Sequence, residues 1–150
     1  PNEYHKGNMR SVVAQVHESI RGGRPVMLFR SHNADYEDGG QLRDFVSVED
    51  CVEVMMWLFD NPDVSGLFNL GTGKARSFAD LATAVFSALD LEAKISFVDT
   101  PVEIRDKYQY FTQASMTRLR AAGYDRPFSE LEDGVAAYLK NFLEQDDPYK

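Results

Sequence analysis

The feature that most constrains the fold is a short, largely apolar segment at residues 67–70, Leu-Phe-Asn-Leu, followed directly by Gly71-Thr72-Gly73. Such a segment is typical of a strand in a parallel sheet that is buried on both faces. A strand of that kind needs paired neighbours, and the chain offers few, chiefly the apolar runs Val26–Phe29 and Ile95–Val98. We therefore expect the chain to be the C-terminal part of a larger α/β protein that begins before Pro1.

The composition is that of a folded, acidic protein. Of the 150 residues 43% are hydrophobic, and the formal net charge is -8. The hydrophobic content excludes a disordered chain. The charge argues against nucleic acid and anionic membranes as partners, because both reward clusters of Lys and Arg. A small anionic molecule stays compatible with this charge, since a few local basic residues can hold it.

Cysteine content and hydropathy bear on the cellular compartment and on membrane contact. Cys51 is the only cysteine, so no disulfide framework can form within the chain. No apolar run approaches the ~18 residues that a membrane-spanning helix needs. These features favour a cytoplasmic setting without membrane contact.

Hydrophobic periodicity predicts helices alternating with strands. The first helix is expected over residues 8–21 and to stop at Gly22-Gly23. Further helices are expected to begin after Ser115 and after three other serines, each with an acidic residue three positions on. These pairs are Ser47 with Asp50, Ser77 with Asp80 and Ser129 with Glu132. The alternation indicates an α/β layer architecture.

Two finer expectations concern packing. The helix after Ser47 presents an apolar face formed by Cys51, Val54, Met55 and Leu58. The loop over residues 33–41 is polar and acidic, and we expect it to stay mobile rather than to pack.

Lys6 is the first candidate for chemistry. It stands between His5 and Gly7, immediately before a predicted helix. A surface lysine in solvent is the more common situation for this residue type. The positive end of a helix dipole, however, disfavours a protonated amine, and this placement suits an acid–base group.

Other motifs allow two interpretations each. Gly71-Thr72-Gly73 follows a predicted strand, as a phosphate loop would, but it lacks the G-x-G-x-x-G spacing and is more typical of a tight turn. Arg43 and Asp44 form either a surface ion pair or an anion clamp. Tyr108 and Tyr110 belong either to a plain strand or to a surface that offers a hydroxyl to a sugar. The three histidines lack metal-ligand spacing, so no metal site is predicted.

Several strings resemble one known family. They are His5-Lys6-Gly7-Asn8-Met9, Arg43-Asp44-Phe45-Val46, Gly66 to Gly73, Phe111-Thr112-Gln113-Ala114 and Leu119 to Asp125. Together they are similar to the ADP-L-glycero-D-manno-heptose 6-epimerases, a family of extended short-chain dehydrogenase/reductases. The Arg-Asp-Phe-Val and Phe-Asn-Leu-Gly strings occur widely in extended reductases, whereas the strings around Lys6, Phe111 and Leu119 are much more specific.

The resemblance implies a fold and a set of site residues. The fold is α/β: the C-terminal substrate-binding part of an extended Rossmann-type reductase, with a few strands and about five helices, over residues 1–150. The resemblance implies that Lys6 is an acid–base residue, paired with a tyrosine of the Rossmann part, and that it also binds the cofactor. Substrate contacts are implied at Asn8, Gln15, Phe29, Arg30, Ser31, His32, Arg43 and Tyr108.

The resemblance also implies a reaction. The complete enzyme would invert C6 of the heptose of an ADP-heptose by transient oxidation and reduction with NADP. The NADP would be bound mainly by a part N-terminal to Pro1. The enzyme would be a homo-oligomer and would act in lipopolysaccharide core synthesis. This fragment alone is expected to be inactive. Two alternatives stay open: another extended reductase, such as a UDP-hexose 4-epimerase or a nucleotide-sugar dehydratase, and a non-catalytic nucleotide-sugar binding module.

Overall fold

The computed structural model describes residues 3–147, except for the side chain of Asn8. Pro1 and Asn2 lie outside this range. A short 3₁₀ helix, Tyr4–Met9, opens the described part. The remaining elements are, in order, α1 Val12–Arg21, β1 Val26–Phe29, β2 Leu42–Arg43, α2 Val48–Asp60, β3 Arg76–Ser77, α3 Phe78–Ala88, β4 Ile95–Val98, α4 Val102–Arg105, α5 Thr117–Ala121, α6 Leu131–Tyr138 and a π-helical turn, Leu139–Leu143.

The main core lies between α1, α3, α6 and a two-stranded parallel sheet. In that sheet β1 pairs with β4 so that Val26 lies opposite Ile95 and Phe29 opposite Val98. The buried residues of this core are Ala14, Val16, Val26, Leu28, Ala82, Ala84, Val85, Phe86, Val135, Leu139 and Leu143. α3 is central to it because its apolar residues recur every three to four positions. The two strands and the helix after Ser77 confirm the sequence predictions.

A smaller second core packs α2 against α5. Val54, Leu119 and Tyr124 are buried there, and the rings of Trp57 and Tyr124 meet edge to face at 5.5 Å. Phe68 and Leu70 pack against this cluster from the segment that follows α2.

A second, very short sheet is formed by β2 and β3. β2 pairs antiparallel with β3, with Leu42 opposite Ser77 and Arg43 opposite Arg76. On its other side Leu42 bridges Phe111: its N–H donates to Tyr110 O at 2.8 Å, and its carbonyl accepts from Thr112 N–H at 3.2 Å. This small sheet brings Arg43 beside the 108–113 segment.

The strand predicted at 67–70 does not form among the described residues. The segment has no assigned secondary structure and pairs with no described strand. Phe68 and Leu70 face the second core, whereas Leu67 is 78% exposed. The reason is that a strand needs backbone partners, and residues 3–147 supply none beside this segment.

Several helix ends differ from the predictions. α1 begins at Val12 rather than at residue 8, because the Ser11 hydroxyl accepts from Ala14 N–H at 3.3 Å and acts as the N-cap. Gly22-Gly23 ends α1 as predicted. The short helix α5 is capped at Met116 rather than at Ser115.

Of the three predicted pairs of a serine and an acidic residue, one forms a capping box and two do not. Ser77 and Asp80 form the predicted box. Ser47 caps α2, but Asp50 turns away and accepts from Ser129 through the backbone N–H at 3.0 Å and the hydroxyl at 3.1 Å. The N-cap of α6 is consequently Glu130, not Ser129. The long-range contact between Asp50 and Ser129 thus replaces the second half of the predicted box at α2 and the predicted cap at α6.

Two packing expectations are also corrected. Met55 lies on the solvent side of α2, where it is 56% exposed, while Trp57 takes a place on the packed side. The 33–41 loop packs at its C-terminal end: Gly39 and Gln41 are buried, and Gly39 N–H donates to Phe29 O at 3.0 Å. Gly39 has a positive φ of 71°, and an added Cβ would lie 3.0 Å from Phe97, which explains why glycine is required at this turn.

Within the described range, no helix combines the length and the apolar character that crossing a membrane would require.

Candidate functional site

The carboxyl end of β1 presents four of the predicted substrate contacts, Phe29 to His32. The backbone of Phe29 and Arg30 is held by hydrogen bonds with the end of β4 and the segment after it, and with Gln41. Arg30 N–H donates to Val98 O at 2.7 Å, and Arg30 O accepts from the Thr100 hydroxyl at 3.0 Å. The amide of Gln41 donates to Phe29 O and Arg30 O, each at 3.3 Å, and this side chain is only 1% exposed. The end of β1 is therefore a fixed platform rather than a free loop.

The side chains of this platform make weak or local contacts. The Arg30 guanidinium lies 3.9 Å from Asp38 and 3.7 Å from Asp99, and all three side chains are largely exposed. Exposed ion pairs of this kind contribute ~0–1 kcal/mol to stability. Ser31 N–H donates to the Asp38 carboxylate at 2.8 Å and orders the turn that follows. Arg30 consequently keeps its charge near the surface, where an anionic ligand can reach it.

Arg43 lies between two aromatic rings. Its Cζ is 5.7 Å from the centroid of Tyr108 and 5.6 Å from that of Phe78. Within residues 3–147 its guanidinium makes one hydrogen bond, from Nη1 to Leu42 O at 2.7 Å, and has no carboxylate partner. Most of its five N–H donors are therefore available to an anion. The two ring contacts restrict where the guanidinium lies, and its planar fork suits bidentate binding of phosphate.

Aromatic contacts join Arg43 to the end of β1. Tyr108 meets Phe29 edge to face at 6.0 Å and Tyr110 at 5.7 Å. The Tyr110 hydroxyl accepts from His32 N–H at 2.8 Å. The structure thus brings Phe29, His32, Arg43 and Tyr108 into one cluster, although they come from three separate parts of the chain. Burial raises the pKa of the Tyr108 phenol, which the charge of Arg43 only partly opposes, so this hydroxyl stays a neutral hydrogen-bond donor near pH 7.

Asp44 has a different role from its neighbour. Its carboxylate accepts from Thr72 N–H at 2.8 Å, from the Thr72 hydroxyl at 2.6 Å, and from the N–H groups of Gly73 and Ala114 at 2.9 Å each. Burial alone would raise the pKa of Asp44, but these four hydrogen bonds together lower it. Asp44 therefore joins three segments, and the alternative of an Arg43–Asp44 ion pair is wrong.

The same carboxylate decides what the Gly71-Thr72-Gly73 turn can bind. A phosphate loop must offer free backbone N–H groups to its ligand. Here the N–H groups of Thr72 and Gly73 already donate to Asp44. The turn also has no space, since a Cβ on Gly71 would lie 2.6 Å from Ala114 Cβ. The described residues do not fit the pyrophosphate of a dinucleotide at this turn, in agreement with its interpretation as a tight turn.

Lys6 lies apart, in the 3₁₀ helix, where it is exposed. It lines an open cavity of about 600 Å³ together with Glu3, Ser11, Phe45 and Tyr138. Phe45 connects this cavity to the Arg43 cluster, because its ring packs edge to face on Phe78 at 5.5 Å.

The two remaining predicted contacts lie on either side of the start of α1. Gln15 is exposed on α1 and donates to Arg10 O at 2.7 Å. The side chain of Asn8 lies outside the described part of the structure. The roles assigned to Lys6, to these two residues and to the cluster around Arg43 stay predictions.

Two residues of the site were not foreseen from the sequence. Gln41 holds the end of β1, and Phe78 forms one side of the Arg43 stack. Gln41 lies one residue before β2, a strand that the sequence did not predict, so no pattern marked it. Phe78 is the first residue of α3, and no pattern in the sequence marks it as a site residue. Over residues 3–147 no three His, Cys, Asp or Glu side chains converge as a metal site would require.

Comparison with known proteins identifies the relatives of this chain. Residues 1–71 match the model of the NAD dependent epimerase/dehydratase family. ADP-L-glycero-D-manno-heptose-6-epimerase of Nitratidesulfovibrio vulgaris (strain DP4) is 54% identical over 149 residues, which are 99% of this chain and 46% of that protein. The chain thus spans a little under half the length of this relative.

Two solved structures share the fold. The crystal structure of Helicobacter pylori ADP-L-glycero-D-manno-heptose-6-epimerase superimposes with a TM-score of 0.75 at 26% identity, covering 94% of this chain and 40% of that one. The UDP-glucose 4-epimerase of Thermus thermophilus, in complex with NAD, gives a TM-score of 0.65 at 25% identity, covering 83% and 37%. The predicted α/β fold of an extended Rossmann-type reductase is confirmed. By sequence and by fold, the chain is homologous to the C-terminal part of the ADP-L-glycero-D-manno-heptose-6-epimerases.

Proposed function

We propose that this chain is the substrate-binding part of an NADP-dependent epimerase that inverts C6 of the heptose in ADP-glycero-manno-heptose. The observation that carries the proposal is the cluster of Arg43 with Phe29 and Tyr108. A guanidinium fixed between two rings, with most of its donors available, suits the diphosphate of a nucleotide sugar. The identity of 54% to an ADP-heptose epimerase favours this substrate over that of the UDP-glucose epimerase, at 25%.

Each predicted residue has a part in the proposal. Arg43 holds the diphosphate, while Tyr108 and the end of β1, from Phe29 through Arg30 and Ser31 to His32, contact the nucleotide sugar. Lys6 takes and returns the proton of the hydroxyl on the reacting carbon, and Asn8 and Gln15 contact the sugar from the start of α1. Orientation of the substrate and proton transfer are what a protein contributes to such a reaction.

The cofactor belongs to another part of the complete protein. A nicotinamide dinucleotide supplies the transient oxidation and reduction when it is bound. The Gly71-Thr72-Gly73 turn does not fit its pyrophosphate, so we propose that a part outside this chain binds it, with Lys6 adjacent. NADP rather than NAD, a place in lipopolysaccharide core synthesis, a cytoplasmic location and a homo-oligomeric state are further parts of the proposal.

The test is the Lys6→Met substitution in the complete protein. We expect epimerisation to fall by about two to four orders of magnitude, the usual range for losing a general acid or base. NADP affinity, measured by calorimetric titration, should largely survive. Lys94→Met, which removes an exposed lysine before β4, is the matched control. Near-normal turnover of Lys6→Met would contradict the proposal.

A second measurement tests whether the cofactor is bound outside this chain. The purified 150-residue chain should bind no NADP at micromolar concentrations and should show no epimerase activity. Micromolar binding, or turnover of ADP-heptose by this chain alone, would show that the cofactor site has been misplaced.

A further inference from the structure

The segment that carries Lys6 is anchored by Glu3. The Glu3 carboxylate accepts hydrogen bonds from Ser11 N–H at 2.6 Å, from the Ser11 hydroxyl at 2.7 Å and from the Tyr138 hydroxyl at 2.7 Å. Through its backbone carbonyl Glu3 also accepts from Lys6 N–H at 2.9 Å. One residue therefore joins the Lys6 turn to the start of α1 and to the end of α6.

The turn itself is poorly suited to hold a side chain in place. It is a six-residue 3₁₀ helix interrupted at Gly7, whose φ of 54° and ψ of -123° are not helical. Runs of 3₁₀ helix longer than three to four residues are uncommon because their hydrogen bonds are poor. The backbone that carries Lys6 must therefore be held from outside the turn, and the Glu3 carboxylate ties it to Ser11 and Tyr138.

The protonation states suit this role. Burial alone would raise the pKa of Glu3, but the hydrogen bonds from Tyr138 and Ser11, with the charge of Lys6, lower it. Burial, together with the hydrogen bond to Glu3, raises the pKa of Tyr138 well above its ordinary value. At neutral pH Glu3 is consequently a carboxylate that only accepts, and Tyr138 is a phenol that donates.

We propose that Glu3 and Tyr138 are positioning residues for Lys6: they hold the lysine turn against α1 and α6, so that the ammonium stays at one point of the cavity wall. This inference rests on the proposed role of Lys6 as an acid–base group. It gives α6, which lies far from Lys6 in the sequence, a role in positioning the proposed acid–base residue.

The test compares Glu3→Gln and Tyr138→Phe in the complete protein. Tyr138→Phe keeps the ring, which packs on Phe142 at 5.9 Å, and removes only the hydroxyl. We expect kcat to fall about tenfold to hundredfold in each variant, because displacing a catalytic group by about 1 Å costs that much. KM should change less than about twofold, since neither residue belongs to the Arg43 cluster. Glu3→Asp, which keeps the charge but is shorter, should lie between Glu3→Gln and the wild type.

A double substitution separates positioning from general stability. On the Lys6→Met background, Glu3→Gln should cause no further loss of kcat, because its effect passes through Lys6. Asn61→Ala is the stability control: its amide donates to Trp57 O at 2.7 Å at the far end of α2, beside the second core. Asn61→Ala should lower the melting temperature without lowering kcat.

Three results would overturn the inference: wild-type kcat in both Glu3→Gln and Tyr138→Phe, an undiminished loss of kcat on the Lys6→Met background, or an equal loss of kcat in Asn61→Ala. If Lys6→Met is impaired while Glu3→Gln and Tyr138→Phe are normal, the positioning role alone fails. If Lys6→Met turns over normally, the proposed function fails as well.

Discussion

The Asp44 carboxylate accepts two hydrogen bonds from Thr72, one from the backbone N–H at 2.8 Å and one from the hydroxyl at 2.6 Å. It also accepts from Gly73 and Ala114, so a single side chain joins three segments of the chain. Arg43 precedes it directly in β2. The backbone that presents the proposed phosphate ligand is therefore fixed by its own neighbour.

Asp44→Asn should destabilise the chain by about 2–4 kcal/mol. An amide offers one acceptor oxygen in place of a carboxylate's two, and its NH₂ group would face N–H donors that are then left unsatisfied. Chemical denaturation of the 150-residue chain, followed by circular dichroism, measures the change. Asp63→Asn, an exposed carboxylate beyond α2, should change the free energy of unfolding by less than about 0.5 kcal/mol. Equal stabilities of the two variants would refute this role of Asp44.

Acid should weaken the fold through the same carboxylate. The pKa of Asp44 is lower in the folded chain than its ordinary value of ~3.9, so its contribution is fully present above that value. The contribution is lost as pH falls through the lowered pKa. We expect the free energy of unfolding to decrease steeply below pH ~4, and to decrease less steeply in Asp44→Asn. Parallel acid profiles of the two proteins would contradict the assignment.

Two glycine substitutions should change the free energy of unfolding in opposite directions. In Gly71→Ala the new Cβ would lie 2.6 Å from Ala114 Cβ and 2.7 Å from the Asp44 carboxylate, and we expect a loss of about 1–3 kcal/mol from overpacking. In Gly134→Ala the nearest atom outside α6 is Ser47 Cβ at 3.7 Å, an ordinary contact, and alanine favours the helix by about 0.5–1 kcal/mol. Thermal unfolding of both variants checks the two signs.

Arg43→Ala should weaken binding of ADP by the complete protein. A charged hydrogen bond contributes ~1.5–3 kcal/mol, so the dissociation constant should rise about 10- to 150-fold. Arg43→Lys should recover only part of this, because an ammonium keeps the charge but loses the planar fork. Arg24→Ala, which removes an exposed arginine paired with Glu18, serves as the control in the same calorimetric titration. Unchanged affinity in Arg43→Ala would remove Arg43 from the site.

The isolated chain should self-associate through one apolar face. Large hydrophobic side chains are exposed there at helical spacing along α2: Val48, Val52, Met55, Met56 and Phe59. Exposed apolar patches of this kind favour association. Met55→Lys combined with Phe59→Lys should shift sedimentation of the 150-residue chain toward the monomer. Val102→Lys, at a 72% exposed residue of α4, should leave the association unchanged. Equal sedimentation of all three proteins would exclude this face.

Local interactions determined what was predictable from the sequence. The glycine pair after α1, the capping box of α3 and the strands Val26–Phe29 and Ile95–Val98 were all identified, because each depends on residues within a few positions of one another. The specific strings around Lys6 and Phe111 identified the family, which the relatives confirm.

Long-range contacts decided the rest. Asp50 leaves its predicted local cap because Ser129, 79 positions away, offers it two donors. Asp44 turns from Arg43 to the N–H groups of residues 72, 73 and 114, and the 67–70 segment stays unpaired because no described strand lies beside it. Sequence patterns encode which residues prefer a helix, a strand or a cap. Only the tertiary structure decides which donor meets which carboxylate, because those partners are set by how distant segments pack.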